Sequence, residues 1–135
     1  MLDGRWTIMI EGLFSNTNYQ GLKKMLDETV LRQQAIASNL ANLETPGYKR
    51  VDLAPSFRAE LDRACASRDP QQLAALKPTL MPDPNAVPNS KDGNTVSLEN
   101  EMMQLNQNSL AHTLESQLLT GMLLRLKLAI TGKNS

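Results

Sequence analysis

The sequence predicts a mainly α fold in which long N- and C-terminal helices pair as an α-helical hairpin or coiled coil, with an irregular, proline-rich middle segment between them. Two observations carry this. The stretches Tyr19–Leu43 and Val96–Ile130 lack proline and repeat apolar residues at alternating spacings of three and four, the pattern of helices that pack along a seam. All seven prolines of the 135-residue chain lie between Thr45 and Asn94, so the middle is no continuous helix. Three parts of one structural unit are expected: residues 1–44, 45–95 and 96–135.

In the first helix the seam runs Tyr19, Leu22, Leu26, Thr29, Gln33, Ile36, Leu40 and Leu43. Ser15, Asn16 and Thr17 are all suitable N-caps, because their side chains accept from the free amides of a first turn. Thr45-Pro46-Gly47 stops the helix: Pro46 disfavours helical geometry at Thr45, and Gly47 permits the positive φ of a turn that exposes Tyr48 and Lys49. Short helices are expected over Ser56–Ser67 and Pro70–Leu76, the second with Asp69 as cap and Pro70 in the first turn. Residues 77–94 read as an extended or disordered loop, with a turn at Asp92-Gly93.

The C-terminal helix carries two apolar series. One comprises Leu98, Met102, Leu105, Ser109, His112, Ser116, Leu119, Leu123, Leu126 and Ile130; the other comprises Leu110, Leu114, Gln117, Gly121, Leu124 and Leu128, about 100° further round. One series can face the N-terminal helix, and the other needs a further partner, most simply another subunit. Glu99 and Glu101 near its start, with Arg125, Lys127 and Lys133 towards its end, suit the helix dipole. Polar seam residues Gln33, Ser109, His112 and Ser116 are expected to set register, since misaligned packing would leave them unpaired.

Chemistry is hard to find. Fourteen basic and fourteen acidic residues give zero formal net charge, which removes the basic footprint of a nucleic-acid binder. One cysteine, Cys65, and one histidine, His112, offer neither a disulfide nor a zinc cluster. Cys65 is expected to be a small, partly buried thiol, and His112 a packed or interfacial residue. The pairs Asp27-Glu28, Glu60 with Asp62 and Glu99 with Glu101 read as solvated helix surface. The glycines never cluster into a phosphate cradle. We therefore expect no catalytic residue, no metal, no cofactor and no small-molecule substrate. Residues 1–11 lack the apolar stretch of a cleaved secretion signal. The apolar-rich stretch Leu118–Ile130 is too short and too interrupted to span a membrane.

One segment is more specific. Asn39-Leu-Ala41-Asn42-Leu-Glu-Thr45-Pro46-Gly47-Tyr48-Lys49 resembles the N-terminal signature of the bacterial flagellar rod and hook axial proteins. Asp52, Phe57 and Leu61, then Asp92-Gly93-Asn94-Thr95-Val96-Ser97-Leu98-Glu99-Asn100-Glu101-Met102 leading into a leucine-rich terminal helix, extend the resemblance toward the short proximal-rod members. Two positions depart from the family pattern: Ser97, where Asp is frequent, and His112, where an aromatic is frequent. The resemblance implies a structural subunit of the flagellar basal body, exported unfolded by the flagellar type III apparatus without a cleaved signal. Its implied partners are further copies of itself, other rod proteins and a basal-body adaptor at the membrane ring. Helical assembly through the seam residues Leu22, Leu26, Ile36, Leu40, Leu98, Met102, Leu105, Leu119, Leu123, Leu126 and Ile130 would build a torque-transmitting rod around the export channel. A soluble helical adaptor or chaperone of a type III secretion system is the alternative expectation.

Overall fold

The computed structural model describes residues 12 and 16–132, so the expectations for Ser15, Lys133 and the N-terminal residues up to 11 lie outside the described residues. Helix α1 spans Thr17–Ala41, and of the three candidate caps Asn16 serves, its side chain accepting from the Asn18 amide at 2.8 Å. A strand, β1 (Val51–Leu53), follows the turn, then helix α2 (Pro55–Ser67), helix α3 (Pro70–Ala75), strand β2 (Leu80–Pro82) and helix α4 (Leu98–Thr131). Both short helices stand where the sequence places them. Asp69 caps α3 by accepting from the Gln71 and Gln72 amides at 2.9 and 3.4 Å. None of the described helices is long and apolar enough to cross a membrane.

The loop expected over 77–94 is more ordered than its prolines suggest. Within it, β2 pairs antiparallel with β1 in the register Val51↔Pro82, Asp52↔Met81, Leu53↔Leu80. The ladder continues at both ends, with the Ala54 amide on Thr79 O at 2.9 Å and the Asp83 amide on Arg50 O at 2.8 Å. Pro82 is tolerated because it closes the last register position of an edge strand. Phe57, Leu61 and Ala64, spaced four and three apart on α2, bury one helical face against Leu73 of α3, with Met25 of α1 and Leu76 packed alongside. This is the apolar core beneath the hairpin.

Helices α1 and α4 run antiparallel, since contacts pair Asn39 with Glu101 at one end and Thr29 with Glu115 further along. Neither apolar series supplies the fully buried positions of α4. These are Glu101, Asn108 and Glu115, one heptad apart, which places them on a single line down the helix. Leu105, Leu119 and Leu126 flank that line half-buried, whereas Leu98, Met102, Leu123 and Ile130 are exposed in the single subunit. On α1, Leu22 and Ile36 are buried as expected, Leu26 and Leu40 are half-buried, and Ala35 joins the buried face. The hairpin is therefore held by a polar seam with few apolar layers.

Candidate functional site

The signature segment is a closed structural unit. At the end of α1 the carbonyls have no helical partner. Asn94, buried at 2 % exposure, satisfies them: its amide donates to Asn42 O, Leu43 O and Thr45 O at 2.9, 3.0 and 2.8 Å. The Asn94 side-chain oxygen in turn accepts from the Val96 amide at 2.8 Å. Main-chain bonds run alongside, from the Gly47 amide to Asp92 O (3.0 Å) and from the Thr95 amide to Tyr48 O (3.1 Å). Gly47 and Gly93 both sit at positive φ, +70° and +80°, where a side chain would be strained. Two motifs about fifty residues apart in sequence thus form one joint, and that joint sets where α4 begins.

A second set of contacts fixes the two long helices against it. Asn39 is fully buried. Its side chain mimics a strand neighbour, donating to Val51 O at 2.8 Å and accepting from the Val51 amide at 2.9 Å. It also donates to Glu101 at 3.2 Å. Glu101, likewise fully buried, meets Arg50 Nε at 2.5 Å, while Arg50 Nη1 reaches Asp52 and Asp83 at 2.8 and 2.7 Å. Burial alone would lower the Arg50 pKa, but hydrogen bonds to Asp52 and Glu101, with their charges, outweigh it and hold the proton more tightly than usual. One guanidinium therefore ties α4, β1 and the end of β2 together.

Further along, two more polar layers cross the hairpin. Asn108 donates to Thr29 O at 2.8 Å and to Gln33 at 3.0 Å. The Thr29 hydroxyl donates to Glu115 at 3.1 Å and lies 3.1 Å from His112 Nδ1. Burial, with the nearby Glu28 charge, pushes the Glu115 carboxyl above its ordinary value, although the Thr29 bond and the charges of His112 and Arg58 pull the other way. Glu28 is buried too, paired with Arg32 and Arg58 at 3.4 and 3.2 Å.

Several expectations need correction. Glu28 and Glu101 are not solvated surface: each faces inward because an arginine neutralises it, which makes the burial affordable. Tyr48 does not point outward; it folds back, half-buried, with its hydroxyl 3.0 Å from Ser38 Oγ and donating to Asn39 at 3.4 Å. Cys65 is exposed, because its position on α2 lies off the Phe57–Leu61–Ala64 face. The other signature residues close the turn: Asn42 donates to Ser38 O at 2.8 Å, Thr45 donates to Asn42 at 3.1 Å, and Lys49 donates to Gly93 O at 3.1 Å, while Ala41 and Pro46 are exposed. Sequence reasoning misses Arg50, Asn108 and Glu115 altogether, and it finds Asn94 and Glu101 only as parts of the second motif, without the contacts they make. Among the described residues no group of His, Cys, Asp and Glu could hold a metal ion.

Residues 29–49, from the Thr29 layer to Lys49, match the family model described as flagella basal body rod protein. The flagellar basal body rod protein FlgB of Escherichia coli is 30% identical over 129 residues, covering 84% of this chain and 91% of that protein. FlgB of Bacillus subtilis is 30% identical over 133 residues, 89% and 97% of the two chains. FlgB of Cereibacter sphaeroides is 35% identical over 112 residues, covering 76% and 84%. The chain belongs to the FlgB family. Its role is structural, in the rod of the flagellar basal body. The family match covers the α1 side of these contacts, with Thr29, Asn39 and Asn42, whereas their partners Arg50, Asn94, Glu101, Asn108 and Glu115 lie outside it.

Proposed function

We propose that this chain is a subunit of the proximal rod, assembling helically through α1 and α4 to transmit torque and line the export channel. The observation that carries the reading is a densely hydrogen-bonded joint combined with an unfinished helix. Asn39, Arg50, Asn94 and Glu101 fix where α4 starts and how it lies on α1, yet Leu98, Met102, Leu123 and Ile130 are left uncovered. Large exposed side chains repeated along one helix are the mark of a surface completed by other chains. In a helical array each subunit presents one patch to a different patch on its neighbour.

On this reading the seam residues Leu22, Leu26, Ile36, Leu40, Leu105, Leu119 and Leu126 complete the tube wall with their exposed companions. The chain works as one structural unit and catalyses nothing. Its partners are further copies, other rod proteins, the basal-body adaptor at the membrane ring and the type III export apparatus. It resides in the periplasmic rod. A strain lacking the chain is expected to build no hook and to be non-motile, with both restored by the gene in trans. A deletion strain that still assembles hooks and swims refutes the proposal.

A further inference from the structure

Glu115 is the last buried residue of α4: from Ser116 to Thr131 none is buried, and Leu119, Met122 and Leu126 lie only half-buried. How firmly the end of α4 is held is thus decided at the Glu115 layer. Glu115 differs from the other acids turned inward. Glu28 has Arg32 and Arg58 at 3.4 and 3.2 Å, and Glu101 has Arg50 at 2.5 Å, whereas Glu115 has no ion pair among the described residues. It is 6 % exposed, and a buried carboxylate without a counter-charge is costly.

Its hydrogen-bond partner is oversubscribed. The Thr29 hydroxyl lies 3.0 Å from Leu26 O, 3.1 Å from His112 Nδ1 and 3.1 Å from Glu115 Oε2. A hydroxyl has one hydrogen to give and can accept two. Leu26 O only accepts, so with Glu115 ionised two acceptors compete for that hydrogen, and when it goes to Glu115 the Leu26 contact is unmade. With Glu115 protonated the count closes. Its own O–H donates to Thr29, His112 Nδ1–H donates to the same oxygen, and the hydroxyl hydrogen passes to Leu26 O.

The charged groups around Glu115 come from three helices. Burial opposes its ionisation most, and Glu28 of α1 adds to that; His112 on α4 itself and Arg58 of α2 favour ionisation, Arg58 from an exposed side chain already engaged by Glu28. Lys24, also buried on α1, pairs with Asp27 at 3.9 Å. The balance holds the carboxyl above its ordinary range.

We infer that the Thr29–His112–Glu115 layer is a proton-operated latch that docks the end of α4 on α1. With the proton on Glu115 every contact of the layer is made and Ser116–Thr131 rests on α1. When the proton leaves, a carboxylate without a counter-ion stands beside Glu28, and the helix end lifts away from this point onward. The sign follows from linkage: docked Glu115 binds its proton more tightly than undocked Glu115, so docking is tightest below the ordinary value of 4.5 and weakens as pH rises through the raised docked value. The inference concerns the free chain and stands or falls independently of the rod-subunit reading.

Hydrogen exchange of the full-length chain tests it, read by mass spectrometry from about pH 4 to 7.5 and corrected for the intrinsic pH dependence of amide exchange. Protection of residues 116–131 is expected to fall with rising pH relative to residues 98–108, by at most about tenfold per pH unit, the limit that one proton sets. Glu115→Gln keeps a neutral donor for Thr29, so its protection over 116–131 is expected to match that of acid wild type at every pH. His112→Gln is expected to keep the fall. The inference is overturned if wild-type protection of 116–131 is flat with pH, absent throughout, or falls only in step with 98–108. It is equally overturned if the fall survives in Glu115→Gln, or disappears in His112→Gln, which would assign the titration to the histidine.

Discussion

Replacing Asn94 tests the joint most sharply. Its amide supplies two hydrogens to three carbonyls at the end of α1, and its oxygen holds the amide of Val96, itself buried. Asn94→Ala removes about two hydrogen bonds' worth of stabilisation, roughly 1 kcal/mol each, and strands one buried amide at about 1–3 kcal/mol, for a loss of roughly 3–5 kcal/mol. Asn94→Asp is the more pointed change. It keeps the acceptor for Val96 but turns a carboxylate toward three carbonyl oxygens, so at neutral pH it is expected to be at least as damaging as Ala. Below about pH 4, where an ordinary Asp carries a proton and can donate one bond again, the aspartate variant should recover relative to alanine. Urea unfolding followed by circular dichroism at 222 nm, at pH 7 and pH 3.5, measures both. An aspartate variant as stable as wild type at pH 7, or an alanine variant within about 0.5 kcal/mol of it, refutes the role given to Asn94.

Three further outcomes are expected. Glu101→Gln keeps the acceptor for Asn39 but removes the charge facing Arg50, which retains Asp52 and Asp83; a loss of about 2–4 kcal/mol is expected in the same urea assay, less than for a pair left wholly broken. Gly47→Ala meets nothing within 4 Å among the described residues, so its cost is that of a side chain at φ +70°, about 1–2 kcal/mol by thermal or urea unfolding. Glu115 binds its proton more tightly folded than unfolded, so its contribution is most favourable below its ordinary value of 4.5 and falls as pH rises through its elevated folded value. Glu115→Gln should therefore flatten that fall, its urea midpoint gaining on wild type between pH 4 and 7; a variant that loses ground as pH rises contradicts the sign.

What could be read from the sequence were features whose cause is local. The two long helices, the short ones at Pro55–Ser67 and Pro70–Ala75, the Asp69 cap and the turns at Gly47 and Gly93 depend on spacing, proline and glycine within a few residues. What could not be read depends on partners far along the chain. Glu101 looked like a first-turn acid on a wet surface, because nothing near it shows that Arg50 and Asn39 will converge on it. The inner line Glu101, Asn108, Glu115 is a heptad, but a polar one, so a search for apolar periodicity passes over it. Strand β2 was hidden by prolines on either side, and only pairing with β1 organises it. The joint itself was half visible: both motifs stood out as strings, but their closure through the Asn94 side chain is a tertiary fact.

A side-chain-resolution map of the isolated basal body tests the rod assignment most directly. This chain is expected in the proximal rod, with the Asn94 cap and the Arg50–Glu101 contact intact and Leu98, Met102, Leu123 and Ile130 covered by neighbouring subunits. A map that places the chain outside the rod, or leaves those side chains facing solvent, contradicts the assignment.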